Sequence, residues 1–340
     1  MKYFINACND PYRNMAFDEW CLENGPSEEP VFYLWRNRPS VIVGLNQNVY
    51  SEVDLDFLTA HGILLARRVT GGGAVYHDLQ NLNYTFAGPV GTVGADLFAS
   101  ALSSLGLDVA LTGRNDIFLD GRKISGYARR VWQDREIIHG TLMYDVDIET
   151  LTSVLAGPGS KLSAKGIGSV HSRVANLKEY LPQYSDLDSL QAALQEKLAG
   201  MTEDPTACDG PLELTAGQNA EIDRMAREKF ASWDWIYGRS RETGFTHAAK
   251  LPCGTVEARI TLDRGIISAL SFSGDFLGAL PCDQPASGLV GTRYDYQSVL
   301  QALLSFSKDN AGVAQYFDST TPEQLAALIV GQKNTPCHGK

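Results

Sequence analysis

The chain has 340 residues and a formal net charge of −11, with 44% hydrophobic and 20% charged residues. This is the composition of an ordinary globular protein, and the length allows two domains that each bury a core. The negative charge argues against general affinity for nucleic acid or anionic membranes. No apolar run approaches the roughly 20 residues of a membrane span. Because the N-terminus is too short and polar for a signal peptide, we predict a cytoplasmic protein.

The cysteines and histidines form no pattern typical of a metal site or a disulfide framework. The six cysteines lie far apart without a C-x-x-C pair, and the six histidines include no H-E-x-x-H. We therefore predict no protein-held metal and no catalytic cysteine.

Strand-like runs dominate the first third of the chain. The predicted strands are Val31–Trp35, Val41–Leu45, Ile63–Arg68, Ala74–His77 and Leu82–Ala87. The predicted helices are Pro11–Glu23, Asp96–Leu105, Ile148–Leu155, Leu187–Leu198 and Gly217–Phe230. Sequentially paired strands followed by helices indicate an α+β fold with a mixed or mainly antiparallel sheet.

Two domains are predicted. Residues 201–217 have the composition of a linker, but the helix after them ends in an aromatic cluster, Trp233 to Tyr237, that needs a core to pack on. We therefore place the boundary later, between a first domain of residues 1–246 and a second of residues 247–340. The second contains a predicted hairpin and two helices, which makes it a small α+β domain: Thr255–Leu262, Ile266–Phe272, Tyr296–Ser307 and Pro322–Val330.

The most informative motif is the run RRVTGGGAVYHD, from Arg67 to Asp78. Arg68 supplies a fork of donors suited to a carboxylate or phosphate. The three glycines let backbone amides approach an anion closely. The run is neither a dinucleotide fingerprint nor a Walker loop. Its spacing alone leaves two interpretations open, a tight structural turn between strands and an anion site.

A second motif is a predicted hairpin. Asp120-Gly121 lies between two apolar-alternating runs, which is a strong signal for a tight turn. Lys123 then follows the turn directly, with Ser125 on the same face of the strand. A solvated hairpin lysine is the alternative interpretation of Lys123.

Two further segments add polar groups. One brings His139 and Gly140 onto another predicted strand. The other, residues 161–177, is cationic and rich in small residues and includes Lys165. A solvated loop is the alternative interpretation of this segment.

Together these motifs resemble those of the lipoate–protein ligase A family, over nearly the whole chain. The matching positions are Asp18-Glu19, 34–37, Gly44 with Gln47-Asn48, 67–78, 113–116, 122–126, 139–142, 165–167 and 172–174. One departure is visible, because Gln80 precedes Asn81 where the family usually has Gly-Asn. The resemblance implies a catalytic domain of the biotin/lipoate ligase type. Its expected activity is to join lipoate or octanoate to ATP as an acyl-adenylate, and then to transfer the acyl group to a lysine of a carrier domain.

The resemblance also guides the assignment of residue roles. Lys123 is expected to bridge the acyl carboxylate and the α-phosphate. Arg68 and the amides around the glycine turn are expected to bind phosphate or carboxylate oxygens. The full set of predicted binding residues is Arg68, Gly71, Gly72, Gly73, Ala74, Val75, Tyr76, His77, Asn115, Asp116, Ser125, His139, Gly140 and Lys165.

Some of these roles are more specific. Asn115 and Asp116 are expected to contact ribose or magnesium, while His77 and His139 shape the acyl pocket, with core histidines as the alternative. Residues of the two strands 31–35 and 41–44 are expected to line the acyl slot. The segment Lys161–Arg173 is expected to close over the adenylate.

The expected cofactors and partners also follow from the resemblance. ATP and Mg²⁺ enter as a co-substrate pair, and lipoate is the acyl substrate. The acceptors would be lipoyl-carrier domains of 2-oxoacid dehydrogenase complexes and the H protein of glycine cleavage, with no nucleic acid or membrane partner. The main alternative is an octanoyl or lipoyl transferase that acts without ATP through a cysteine thiolate. A non-catalytic binding protein and a biotin ligase are further alternatives.

Overall fold

The structure is a computed structural model that describes residues 1–26, 29–112, 115–155, 174–201, 211–240 and 243–332. It divides into two compact units, Met1–Ile236 and Tyr237–Lys340. The boundary expected from the sequence, after residue 246, falls inside a strand of the second unit, Thr243–Leu251. No helix within these described ranges is long and apolar enough to cross a membrane.

The first unit is built around a mixed sheet, which has eight strands among the described residues. The strands are β1 (Lys2–Phe4), β2 (Val31–Trp35), β6 (Asn81–Pro89), β7 (Val109–Thr112), β8 (Asp116–Leu119), β9 (Arg122–Trp132), β10 (Arg135–Met143) and β11 (Pro211–Leu212). Their order is β11-β1-β2-β6-β10-β9-β8-β7. Strand β1 is parallel to both of its neighbours, and the other pairs are antiparallel.

A smaller sheet carries the glycine-rich run. It consists of β3 (Ser40–Val43), β4 (Leu64–Arg67) and β5 (Val75–His77), with β3 in the centre. β3 is parallel to β4 and antiparallel to β5. The connection between β4 and β5 is therefore a turn that contains all three consecutive glycines.

Helices cover both faces of the large sheet. The α-helices among the described residues of this unit are α1 (Pro11–Asn24), α2 (Val49–Glu52), α3 (Leu55–His61), α4 (Ala95–Ser104), α5 (Ile148–Val154), α6 (Leu187–Ala199), α7 (Ala216–Met225) and α8 (Trp233–Ile236), and a 3₁₀ turn spans Leu177–Glu179. Alternate residues of β2 enter two different cores, because successive side chains of a strand point to opposite faces. Phe32 and Leu34 pack with α4 and α6, whereas Tyr33 and Trp35 pack with α1 and α7.

Helix α1 is fixed at both ends, and it supplies residues to the site. Asp10 caps its N-terminus by accepting hydrogen bonds from the amides of Tyr12 and Arg13, and Pro11 occupies the first turn. The guanidinium of Arg135 on β10 donates to carbonyls in the last turn and just beyond it. These contacts hold α1 against the strand that carries His139.

The second unit is a small α+β domain. Strands β12 (Thr243–Leu251), β13 (Gly254–Asp263) and β14 (Ile266–Gly274) form an antiparallel sheet, with helices α9 (Asp283–Gly288), α10 (Tyr296–Asp309), α11 (Val313–Tyr316) and α12 (Pro322–Ile329). The β13–β14 turn has positive φ angles at Arg264 (52°) and Gly265 (74°), as a two-residue hairpin requires. The predicted α+β class with a mixed sheet is confirmed.

The remaining differences from the sequence predictions are local. The hairpin at Asp120 and Gly121 is confirmed, with φ angles of 49° and 73°. The helix predicted over Gly217–Phe230 instead ends as α7 at Met225 and continues as a π-helical turn, Ala226–Phe230. The short helices α2 and α3 were not predicted, because segments of four and seven residues carry little periodicity.

Candidate active site

A pocket opens between the glycine turn, β5 and the central strands β9 and β10. Its lining includes ten of the predicted residues: Arg68, Gly72, Gly73, Ala74, Val75, His77, Asn115, Lys123, His139 and Gly140. The other lining residues are Met15, Trp35, Ile42, Asn83, Gly126, Tyr127, Ala128 and Thr141. Trp35 and Ile42 belong to the two strands expected to line an acyl slot.

Several predicted residues lie elsewhere. Gly71, Tyr76, Asp116 and Ser125 do not contribute to the lining. Ser125 is buried and lies 3.4 Å from the Tyr84 hydroxyl. Lys165 and the segment Lys161–Arg173 lie outside the described residues.

The Arg68 guanidinium organises the glycine turn. Its Nη2 donates to the carbonyls of Gly71 (2.7 Å) and Gly73 (2.8 Å), and its Nη1 donates to the carbonyl of Ile42 (3.0 Å). Burial lowers the pKa of Arg68 to about 10. The Nη1 and Nη2 donors of Arg68, which were expected to bind an anion directly, instead donate to main-chain oxygens. Arg68 therefore fixes the conformation of the glycine turn.

The contacts of Arg68 also determine the direction of two backbone amides in the glycine turn. In a trans peptide the C=O and N–H groups point in opposite directions. Because Arg68 holds the Gly71 and Gly73 carbonyls, the amides of Gly72 and Ala74 point away from the guanidinium. Gly72 has a φ angle of 95°, and a Cβ there would lie 2.8 Å from Arg68 Nη2. Glycine at this position therefore satisfies both the backbone conformation and the close approach of Arg68.

Lys123 stands beside the pocket in an ion pair. Its Nζ lies 2.7 Å from Asp116 Oδ1, and its side chain is 38% exposed. The pairing of β8 with β9 shifts register between Ile117 and Phe118, leaving Ile124 as an extra residue. This bulge corrects the prediction that Lys123 and Ser125 share a face, since Lys123 instead lies over Gly126, where a Cβ would be 2.9 Å from its Nζ.

The two histidines of the pocket have different partners. His77 Nδ1 lies 3.0 Å from Asn37 Nδ2. Burial, assisted by the nearby Arg68 and His139, lowers the pKa of His77 to about 3. A pKa this low keeps His77 neutral near pH 7, and its side chain forms part of the pocket wall.

His139 instead takes part in a buried hydrogen-bond network. Its Nδ1 lies 2.6 Å from Asp18 Oδ2, and its Nε2 lies 2.7 Å from Thr70 Oγ1. The neighbouring Gly140 is required by packing, because a Cβ there would lie 2.4 Å from the Tyr84 hydroxyl oxygen. In the sequence, Asp18 stood out only as a position shared with the family, and no motif singled out Thr70 as part of the site.

The cysteines in the part of the chain that the structure describes lie outside the pocket. Cys8, Cys21, Cys253 and Cys282 are free, and none lines the pocket. Burial raises the pKa of the Cys21 thiol well above its usual range, which disfavours a thiolate. The same described part holds no cluster of three or more His, Cys, Asp or Glu arranged around a metal position.

Comparisons with known proteins agree with this geometry. Residues 10–199 match the family model "Lipoyl protein ligase A/B catalytic domain", and residues 240–329 match "Bacterial lipoate protein ligase C-terminus". The chain is 33% identical to lipoate-protein ligase LplJ of Bacillus subtilis over 331 residues, covering 94% of this chain and 97% of the relative.

Solved structures show the same similarity. A bi-partite lipoate protein ligase of Thermoplasma acidophilum, studied with its E2 lipoyl domain, is 26% identical with a TM-score of 0.61, covering 69% of this chain and 96% of that one. A lipoate-protein ligase A bound with ATP is 25% identical with a TM-score of 0.59, covering 69% and 98%.

Proposed function

The chain belongs to the lipoate–protein ligase family, and on that premise we propose that it activates lipoate with ATP and transfers the lipoyl group to a lysine of a lipoyl-carrier domain. The first unit carries out both steps, and the second is an accessory domain. The observation that carries the proposal is one pocket that is lined by Lys123, by the glycine turn that Arg68 holds in place, and by apolar side chains.

The first step joins two anions. The lipoate carboxylate attacks the α-phosphate of ATP, and pyrophosphate leaves. No enzyme nucleophile is needed, but negative charge on phosphate and carboxylate oxygens must be stabilised by preorganised donors. Lys123 is assigned to bridge the carboxylate and the α-phosphate, with its ammonium exchanging Asp116 for substrate oxygens.

The glycine turn supplies the complementary donors. The amides of Gly72 and Ala74, oriented by Arg68, are assigned to phosphate oxygens. Because the buried Arg68 has no carboxylate among its hydrogen-bond partners in the described residues, its positive charge also adds a favourable field for an anion at the turn. This assigns Arg68 an indirect role in place of the direct contact expected from the sequence.

The acyl tail is assigned to the apolar part of the pocket. Met15, Trp35 and Ile42 line it together with small residues of β9 and β10. Each buried methylene contributes about 0.8 kcal/mol, so the tail of lipoate would contribute several kcal/mol of binding free energy.

Magnesium and the acceptors complete the proposal. Magnesium would enter with ATP, and the Asp116 carboxylate beside Lys123 fits the one or two carboxylate ligands that Mg²⁺ typically takes alongside phosphates. When bound, the ion would neutralise phosphate charge.

Carrier domains of 2-oxoacid dehydrogenase complexes and the H protein are the proposed acceptors. Roles for Asn115 and Lys165 stay predictions from the sequence, as does residence in the cytoplasm.

One reaction tests the function. The protein is incubated with lipoate, ATP, Mg²⁺ and an apo lipoyl domain, and the products are analysed for AMP and for a mass gain on the domain. We expect both, with no mass gain when ATP is omitted. Modification of the domain from an acyl-carrier donor without ATP would instead establish the transferase.

A further inference from the structure

The Asp18 carboxylate of helix α1 is buried and has three hydrogen-bond partners, one of which, His139, lines the pocket. It is 1% exposed, and its Oδ1 accepts hydrogen bonds from the hydroxyls of Tyr33 and Thr85, the latter at 3.0 Å. Its Oδ2 lies 2.6 Å from His139 Nδ1. Among the described residues its ion-pair partner is this histidine alone. Three donors therefore satisfy this buried carboxylate, and none of the three that the structure describes is a Lys or Arg.

The partners of the network determine where each hydrogen lies. Arg68 Nε donates to Thr70 Oγ1 at 3.0 Å, because a guanidinium has only donors. The Asp18 carboxylate has only acceptors, so His139 Nδ1, 2.6 Å from Oδ2, carries a hydrogen and donates it. In a neutral His139 the other ring nitrogen, Nε2, then accepts, and the Thr70 hydroxyl donates to it at 2.7 Å.

We propose that Asp18 is a positioning residue for the adenylation site, which it controls by fixing the tautomer of His139. The proposal rests on the proposed function, since the site it positions is the glycine turn assigned to ATP. With Nε2 accepting, the Thr70 hydroxyl oxygen accepts from Arg68 and is not shared with His139, and Arg68 holds the Gly71 and Gly73 carbonyls. Asp18 thus acts on the phosphate-binding amides through three side chains, without contacting substrate.

A second branch reaches the acyl side of the pocket. Thr85 donates to Asp18 and accepts a hydrogen bond from Trp35 Nε1 at 2.9 Å. Trp35 lines the pocket. One carboxylate therefore orients both the indole on the acyl side and the turn on the phosphate side, so loss of its charge disturbs the alignment on which adenylation depends.

Asp18→Asn is the discriminating variant, because it preserves shape and removes the acceptor. The amide oxygen of the asparagine can still accept hydrogen bonds from the hydroxyls of Tyr33 and Thr85. Its NH₂ group, which is a donor, then faces His139 Nδ1. A neutral His139 must then carry its proton on Nε2 and donate it to Thr70 Oγ1, so the Thr70 hydrogen has to turn away from the ring and the oxygen is shared between His139 and Arg68. We expect long-range ¹H–¹⁵N spectra of labelled protein to show His139 as Nδ1–H in the wild type and as Nε2–H in the variant, with His139→Gln assigning the signals.

Kinetics provide the second measurement. In ATP–pyrophosphate exchange with lipoate, we expect Asp18→Asn to raise KM for ATP about tenfold or more, the scale for disrupting one charged hydrogen bond. Thr70→Val should act in the same direction, and Thr70→Ser, which keeps the hydroxyl, should stay within about threefold of wild type. Glu19→Gln is the matched control, since Glu19 is buried on the same helix but pairs with Lys229, and it should leave the exchange kinetics unchanged.

The outcomes separate this proposal from the proposed function. A wild-type His139 with its proton on Nε2, or an Asp18→Asn variant with wild-type KM for ATP, would overturn the role of Asp18. Equal losses in Thr70→Ser and Thr70→Val would also overturn it, because the hydroxyl would then be irrelevant. A folded wild-type protein that shows no exchange with lipoate would overturn the proposed function, whereas the tautomers would still decide whether Asp18 controls His139.

Discussion

Replacing Lys123 with alanine removes the ammonium assigned to the point where carboxylate and α-phosphate meet. A cation about 4 Å from a phosphate is worth roughly 4 kcal/mol at an effective dielectric of 20. Since the Lys123 side chain is 38% exposed, solvent screening reduces this to about 3 kcal/mol, or roughly a 10²-fold loss in rate. We expect ATP–pyrophosphate exchange to fall by at least that factor.

The fold should survive this substitution. The ion pair with Asp116 lies near the surface, and such pairs contribute about 0–1 kcal/mol to stability. We therefore expect a nearly unchanged Tm for Lys123→Ala. Lys178→Ala is the control, because it removes a lysine from a comparable surface ion pair, with Asp145, outside the pocket, and it should leave the exchange rate unchanged. Near-normal pyrophosphate exchange in folded Lys123→Ala would refute the assignment of Lys123.

Three further predictions concern other parts of the site. A variant in which all six cysteines are replaced by Ala or Ser should keep ligase activity if it folds, and trapping an acyl-thioester on any wild-type cysteine would contradict this. Gly72→Ala should cost about 1–2 kcal/mol in denaturant unfolding, because its φ of 95° is unfavourable for alanine, and should weaken ATP binding; an unchanged Kd would argue against the assigned amides. His77 has a folded pKa of about 3 and an unfolded pKa near 6.5, so the unfolded state binds the extra proton between these values and stability falls on acidification, by up to about 1.4 kcal/mol per pH unit. His77→Asn should flatten this dependence between pH 6.5 and 4 while exposed His61→Asn should not, and equal slopes for both would contradict the burial argument.

Local sequence signals predicted the parts of the site that depend on neighbouring residues. The Asp120-Gly121 turn follows from the backbone preferences of two residues, and its position brings Lys123 to the pocket. The bulge at Ile124 was not predictable in this way, because it depends on the register with which β8 pairs with β9. Strict alternation along the strand therefore predicted that Ser125 shares a face with Lys123, whereas Gly126 lies beneath the Lys123 side chain.

The sequence motifs also could not predict contacts between residues that lie far apart in the chain. Asp18 and His139 are 121 positions apart in the sequence, and neither spacing nor periodicity indicates that they touch. Arg68 has the chemistry of an anion ligand, but the turn around it supplies carbonyls that satisfy its donors. Residue type predicted that Arg68 belongs to the site, and only the fold shows which atoms it binds.

The neighbouring Arg67 limits how this enzyme can be shortened. Its fully buried guanidinium donates to the carbonyls of Trp235 and Ile236, at the end of the first unit, as well as to that of Gly44. The catalytic family model ends at residue 199, and a fragment cut there would lack the Trp235 and Ile236 carbonyls that accept from this buried cation, at the base of the strand that leads into the glycine turn. We therefore expect a fragment of the first unit to need residues up to Ile236 for a stable fold, because the last helix of that unit supplies acceptors for an arginine of the glycine-turn motif.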